Sequence, residues 1–187
     1  KGGSAMNPIE LKVARMRRNI TGKEAAKALG LTIDGYFKKE HGTAKITLSE
    51  AYILTKLYQL TLTEFVNIFF NGDLPFLQDR TDNCNFSDAA YPLKEARLRA
   101  GYTEEAAARE LHIPTSAYKQ REKGRVKISL EQCFTLSRFY RLSLQEFNDI
   151  FFRSGLPFRN SDLVPYKYII PQKGVGINAE ASNNSSL

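Results

Sequence analysis

The sequence predicts an all-α protein built from two tandem copies of one five-helix unit, followed by a flexible C-terminal tail. Two observations carry that expectation. The chain is duplicated at an offset of 82 residues, Tyr36 falling on Tyr118, and about 27 of about 68 aligned pairs between Ile9–Phe76 and Tyr91–Phe158 are identical without a gap. In both copies, apolar residues at helical spacing are opened by capping signals, and the third helix of each ends at a glycine.

The first helix of each copy is read from "ELKVARMRRN" and "PLKEARLRAG". Thr21 with Glu24 forms a capping-box pattern that opens the second helix, and "KEAAKALG" ends it on a glycine; the counterpart "EEAAARELH" begins after Thr103. The third helix follows within about three residues, as "IDGYFKKEHG" and, after Pro114, as "TSAYKQREKG". Thr47 with Glu50 and Ser129 with Gln132 open the fourth helix, and Thr61 with Glu64 and Ser143 with Glu146 open the fifth. Each copy then closes on "LPF".

On this basis residues 1–6 are expected to be a scar left by cloning, 7–77 a first domain, 78–90 a polar linker, 91–159 a second domain and 160–187 a Ser/Asn/Gly-rich tail. The 187 residues carry a formal charge of +7. Segment by segment, the first copy holds about +3 and the second about +5, against about −2 in the linker, so the positive charge sits on the repeats. No run approaches the roughly 18 apolar residues of a membrane span. Cys84 and Cys133 lie in no metal-ligand or redox spacing, which makes a reducing, cytoplasmic setting the expectation. His41 and His112 lack partners at ligand spacing, and no nucleophile–base, P-loop or paired-carboxylate constellation recurs; neither a metal, a cofactor nor an enzymatic activity is expected.

"TGKEAAKALGLTIDGYFKKEHG" with "LTLTEFVNIF", and "TEEAAARELHIPTSAYKQREKG" with "LSLQEFNDIF", place a helix, a short turn and a second helix inside a five-helix frame. In this the chain resembles the lambda-repressor-like, Cro/CI type of helix-turn-helix domain, over about three quarters of its length. The resemblance implies double-stranded DNA as partner, with the third helix of each copy entering the major groove. Its base-reading positions then fall on Thr115, Ser116, Lys119 and Gln120 in the second copy and on Ile33, Asp34, Phe37 and Lys38 in the first. Gln120 suits adenine and Lys119 guanine, whereas Asp34 is a poor neighbour for phosphates.

Phosphate contacts are implied for Lys123, Arg125 and Lys127, in the basic stretch "YKQREKGRVKISL", and for Lys23, Lys39 and Lys45 in the first copy. Glu104 and Glu105 depart from the pattern, because they put acids where the family brings donors to a phosphate. The resemblance assigns Arg15 with Glu40, and Arg97 with Glu122, to structural ion pairs. Phe65, Ile68, Phe69 and Phe70, with Phe147, Ile150, Phe151 and Phe152, form a dense apolar last helix that serves either the core or a surface between repeats or between chains.

The expected function is sequence-specific DNA binding by a transcriptional regulator whose two domains act as an intramolecular pseudo-dimer. Two other functions stay open. One is a protein-interaction module, antitoxin-like or anti-repressor, with a protein partner or a homodimer. The other is a DNA-binding accessory factor for transfer or maintenance of a plasmid or mobile element.

Overall fold

The computed structural model describes residues 6–77, 86, 89–153 and 155–158. The expected cloning scar before Met6, most of the expected linker with Cys84, and the expected tail after Phe158 lie outside the described residues. Among the described residues there are ten helices and no strand: α1 (Pro8–Arg17), α2 (Gly22–Leu29), α3 (Ile33–Glu40), α4 (Leu48–Leu57), α5 (Leu62–Phe70), α6 (Pro92–Arg99), α7 (Glu104–Glu110), α8 (Thr115–Glu122), α9 (Leu130–Phe139) and α10 (Leu144–Phe152). Helices α3, α4 and α5 coincide residue for residue with α8, α9 and α10 at the 82-residue offset.

Local chemistry fixes these boundaries. All five capping boxes form: the side chains of Thr21, Thr47, Thr61, Ser129 and Ser143 each accept the backbone N–H three residues on, and the Glu or Gln there accepts the cap residue's own N–H. α1 starts on an Asn7 cap with Pro8 in its first turn. Pro114 stands one position earlier than its ring would suggest: it is the residue before α8, with extended backbone and no side-chain cap, whereas its counterpart Thr32 caps α3 by accepting the Gly35 N–H. α2 stops at Gly30, whose φ of 66° is left-handed, and the equivalent His112 takes the same conformation at φ 53°. Glycine adopts this geometry without a Cβ clash, so the second copy carries backbone strain that the first avoids.

In the first run, α2 packs on α3 and α4, and α1 on α3 and α5; in the second, α7 packs on α8 and α9, and α6 on α10. The apolar cores are not divided evenly. One surrounds Leu93, Ala96, Ala107, Tyr118, Leu136 and Tyr140 of the second run. The other joins the whole interior of the first run to Leu130, Cys133, Leu144, Phe147, Phe152, Leu156 and Phe158 of the second.

Aromatic rings make that junction, and their contacts recur with the partners exchanged. Phe65 meets its own equivalent Phe147 at a centroid distance of 6.5 Å. Phe65–Phe152 at 6.0 Å is answered by Phe70–Phe147 at 6.3 Å, Phe65–Phe158 at 5.2 Å by Phe76–Phe147 at 5.4 Å, and Tyr52–Phe152 at 6.3 Å by Phe70–Phe134 at 5.5 Å. Thr47 and Ser129, also equivalents, form an isolated antiparallel bridge. Reciprocity of this kind marks an isologous interface between two equal surfaces. The two "LPF" segments are its straps. Phe76 and Phe158 each insert beside the last helix of the opposite run, Leu77 donates its N–H to the Leu142 carbonyl at 2.8 Å, and Arg138 donates to the Leu74 carbonyl at 3.0 Å. The aromatic-rich last helices therefore serve the surface between the two runs as well as each interior.

Candidate nucleic-acid interface

The third helix of each run is anchored by one buried polar network, built twice. Arg15 donates through Nε to Glu40 Oε1 at 2.7 Å and through Nη2 to Oε2 at 3.2 Å, and its remaining nitrogen reaches the Ile20 carbonyl at 2.9 Å. The Tyr36 hydroxyl donates to Glu40 at 2.6 Å and bonds the Tyr58 hydroxyl at 2.8 Å. Arg97, Glu122, Tyr102, Tyr118 and Tyr140 repeat the arrangement, with the first ion pair at 2.8 Å and the hydroxyls 2.7 Å apart. Burial opposes ionisation of Glu40, but the Arg15 guanidinium and the Tyr36 hydroxyl outweigh it and hold the carboxyl below its ordinary value. Burial pushes the Tyr58 hydroxyl up to about 12 and raises those of Tyr36, Tyr118 and Tyr140 as well. The network ties the third helix to the first and fourth, so its outer face is held by rigid elements.

On that outer face the two runs diverge. In α8, Ser116 is exposed, Thr115 and Gln120 are half-buried, and the Lys119 ammonium lies 3.0 Å from Glu104 at the start of α7. In α3, Ile33 is 47% exposed, and Asp34 and Lys38 pair with each other at 2.9 Å, one turn apart on an exposed surface. Phe37 does not project freely: its ring is half-buried over Gly22, where a Cβ would come within 2.5 Å of Cζ, and it stacks on His41. A side chain at position 22 would therefore have to displace the Phe37 ring. Positions 22 and 37 in the first run and 104 and 119 in the second are the same two places, filled once by a small residue under a ring and once by an ion pair.

The cations divide in the same way. Lys123, Arg125 and Lys127 are exposed on the loop from α8 to α9, and among the described residues no carboxylate lies at ion-pair distance from them. Backbone bonds from Arg125 and Val126 to the Gln120 carbonyl, at 2.9 and 3.3 Å, fold this loop back on α8. Lys23 is exposed in the first turn of α2. Lys39 is instead drawn inward, donating to the Lys45 carbonyl at 2.7 Å and to Glu50 at 3.0 Å. Lys45 reaches across to Glu131 of the other run at 3.0 Å, with its side chain still 84% exposed. One cleft is lined by both inter-helix loops, Lys45 and Thr47 on one side, Lys123, Lys127 and Ser129 on the other.

Sequence reasoning missed the Lys119–Glu104 pair, the seat of Phe37 on Gly22 and the Lys39–Glu50 bond. Each joins residues on different helices, and only the second had a signal, a glycine opposite a ring. Among the described residues, no group of His, Cys, Asp or Glu could hold a metal ion, and no helix is long and apolar enough to cross a membrane.

Among the described residues, an all-helical frame with a short left-handed turn between its second and third helices, and a basic loop after α8, is consistent with a helix-turn-helix fold. Residues 93–147, from α6 into α10, match the family model described as Helix-turn-helix, a match that suggests a DNA-binding protein of the transcription-regulator type. No curated protein and no solved structure matches the chain.

Proposed function

We propose that the chain is a sequence-specific double-stranded DNA-binding protein, a transcriptional regulator in which residues 7–77 and 91–159 are two helix-turn-helix domains acting as an intramolecular pseudo-dimer. The single observation that carries this reading is the reciprocal contact set around Phe65 and Phe147, which relates the two five-helix runs as a two-fold axis relates the subunits of a dimer. Under such an axis, α3 and α8 address successive major grooves about 34 Å apart. Thr115, Ser116, Lys119 and Gln120 read bases, as do Ile33, Asp34 and Lys38 to the extent their pairing allows. Lys23, Lys123, Arg125 and Lys127 hold phosphates. Hydroxyl-radical footprinting tests it: protection in two patches about one helical turn apart on one face of the duplex supports the pseudo-dimer, and a single patch contradicts it.

A second reading, a protein-interaction module on the same fold, is favoured by the pairing of Lys119 with Glu104 and of Lys38 with Asp34, which occupies the charges a DNA groove would use. The Asp34–Lys38 pair is exposed and the Lys119–Glu104 pair partly so, so separating them costs little, and DNA binding stands first.

A further inference from the structure

The isologous frame sets α3 and α8 in equivalent positions, yet the faces they present are chemically unlike. The outer face of α8 offers hydroxyl, amide and ammonium groups, with Lys119 paired to Glu104 and both partly exposed. α3 offers Asp34 and Lys38 bound to each other, a Phe37 ring turned down onto Gly22, and one large exposed apolar group at its first position, Ile33. Ile33, at the start of a helix held by a buried network, leaves about half of its surface in water and belongs to neither apolar core. In a major groove the apolar feature it can meet is the thymine methyl group.

We infer that the operator is not a palindrome: it joins two unlike half-sites, one read by α8 through hydrogen bonds and one read by α3 through contact of Ile33 with a thymine methyl. The inference rests on the DNA-binding function proposed above. A homodimer of one such domain would be bound to inverted repeats, and a duplicated chain whose halves have diverged on the outer faces of α3 and α8 is released from that constraint while keeping the reciprocal aromatic interface. The Gly22/Phe37 and Glu104/Lys119 exchange belongs to the same divergence, since a glutamate at position 22 would displace the Phe37 ring.

Selection of the full chain on random-sequence duplexes tests this. The expected outcome is an enriched site with two different halves about one helical turn apart, thymine recurring in the half that α3 protects. Replacing that thymine with deoxyuridine, which removes only the methyl group, should weaken binding by about fourfold. The same replacement should leave Ile33→Ala unaffected, and because Ile33 is exposed this variant keeps its fold. Ile33→Thr, Asp34→Ser, Phe37→Lys and Lys38→Gln combined with Gly22→Glu should turn the selected site into an inverted repeat. An inverted repeat selected by the unaltered chain, or equal loss on deoxyuridine in both proteins, would overturn the inference while leaving DNA binding intact. Absence of binding to any duplex at low salt would overturn the DNA-binding function itself, and this inference with it.

Discussion

Phe65 on α5 and Phe147 on α10 occupy the same place in their respective runs and face one another across the molecule, rings 6.5 Å apart and inclined at 71°. Both are fully buried, and each touches the other run's closing "LPF" phenylalanine. Truncating either, Phe65→Ala or Phe147→Ala, should cost about 3–5 kcal/mol in denaturant unfolding. Because the rings are in contact, the double variant should fall short of the sum of the singles.

The ion pairs should separate sharply by burial. Arg97 and Glu122 keep only 7% and 4% of their side chains exposed. Arg97→Ala strands a buried carboxylate and should cost about 3–5 kcal/mol. Lys45→Ala removes the cross-run pair with Glu131, which is exposed and screened, and should cost less than about 1 kcal/mol. Paired urea titrations measure both.

Stability should fall at both ends of the pH scale, for different groups. Glu40 is depressed in the folded chain, so its contribution is present above the unfolded carboxyl value of about 4.3 and is lost as pH falls through the folded value. Tyr58 is raised to about 12, so the folded state binds more protons than the unfolded one above about pH 10, and stability is lost as pH rises from there. Denaturation midpoints across pH should show both limbs, and Tyr58→Phe should make the alkaline one shallower while Tyr36, Tyr118 and Tyr140 keep it present.

Helix limits were legible in the sequence because capping is local: five boxes of the form Thr/Ser-x-x-Glu/Gln each opened a helix where expected. The duplication at 82 residues carried over into equal spans for α3 and α8, α4 and α9, and α5 and α10. What covers the aromatic face of α5 was not legible, since apolar spacing says that Phe65 is buried and not by which run. The candidate site was legible as a set of positions and not as a set of available groups. Lys39 and Lys123 look alike in the chain, yet Glu50 holds the first while the second stands in solvent.

That distinction predicts salt dependence. Arg125→Ala with Lys127→Ala should lower the slope of log affinity against log salt by about 2, roughly 0.9 for each phosphate contact removed. Lys39→Ala should leave the slope unchanged, because its ammonium is already committed within the fold. Fluorescence anisotropy on a labelled duplex at four or five salt concentrations, an approximate minimum for a slope, measures both.

The most direct test of the account is the same titration on the unaltered chain with mixed-sequence double-stranded DNA. If the two runs present one DNA-binding face, affinity should fall steeply with salt, with a slope equivalent to roughly five or more phosphates. Absence of binding at low salt would contradict the account and move the exposed faces of α3 and α8 to a protein partner.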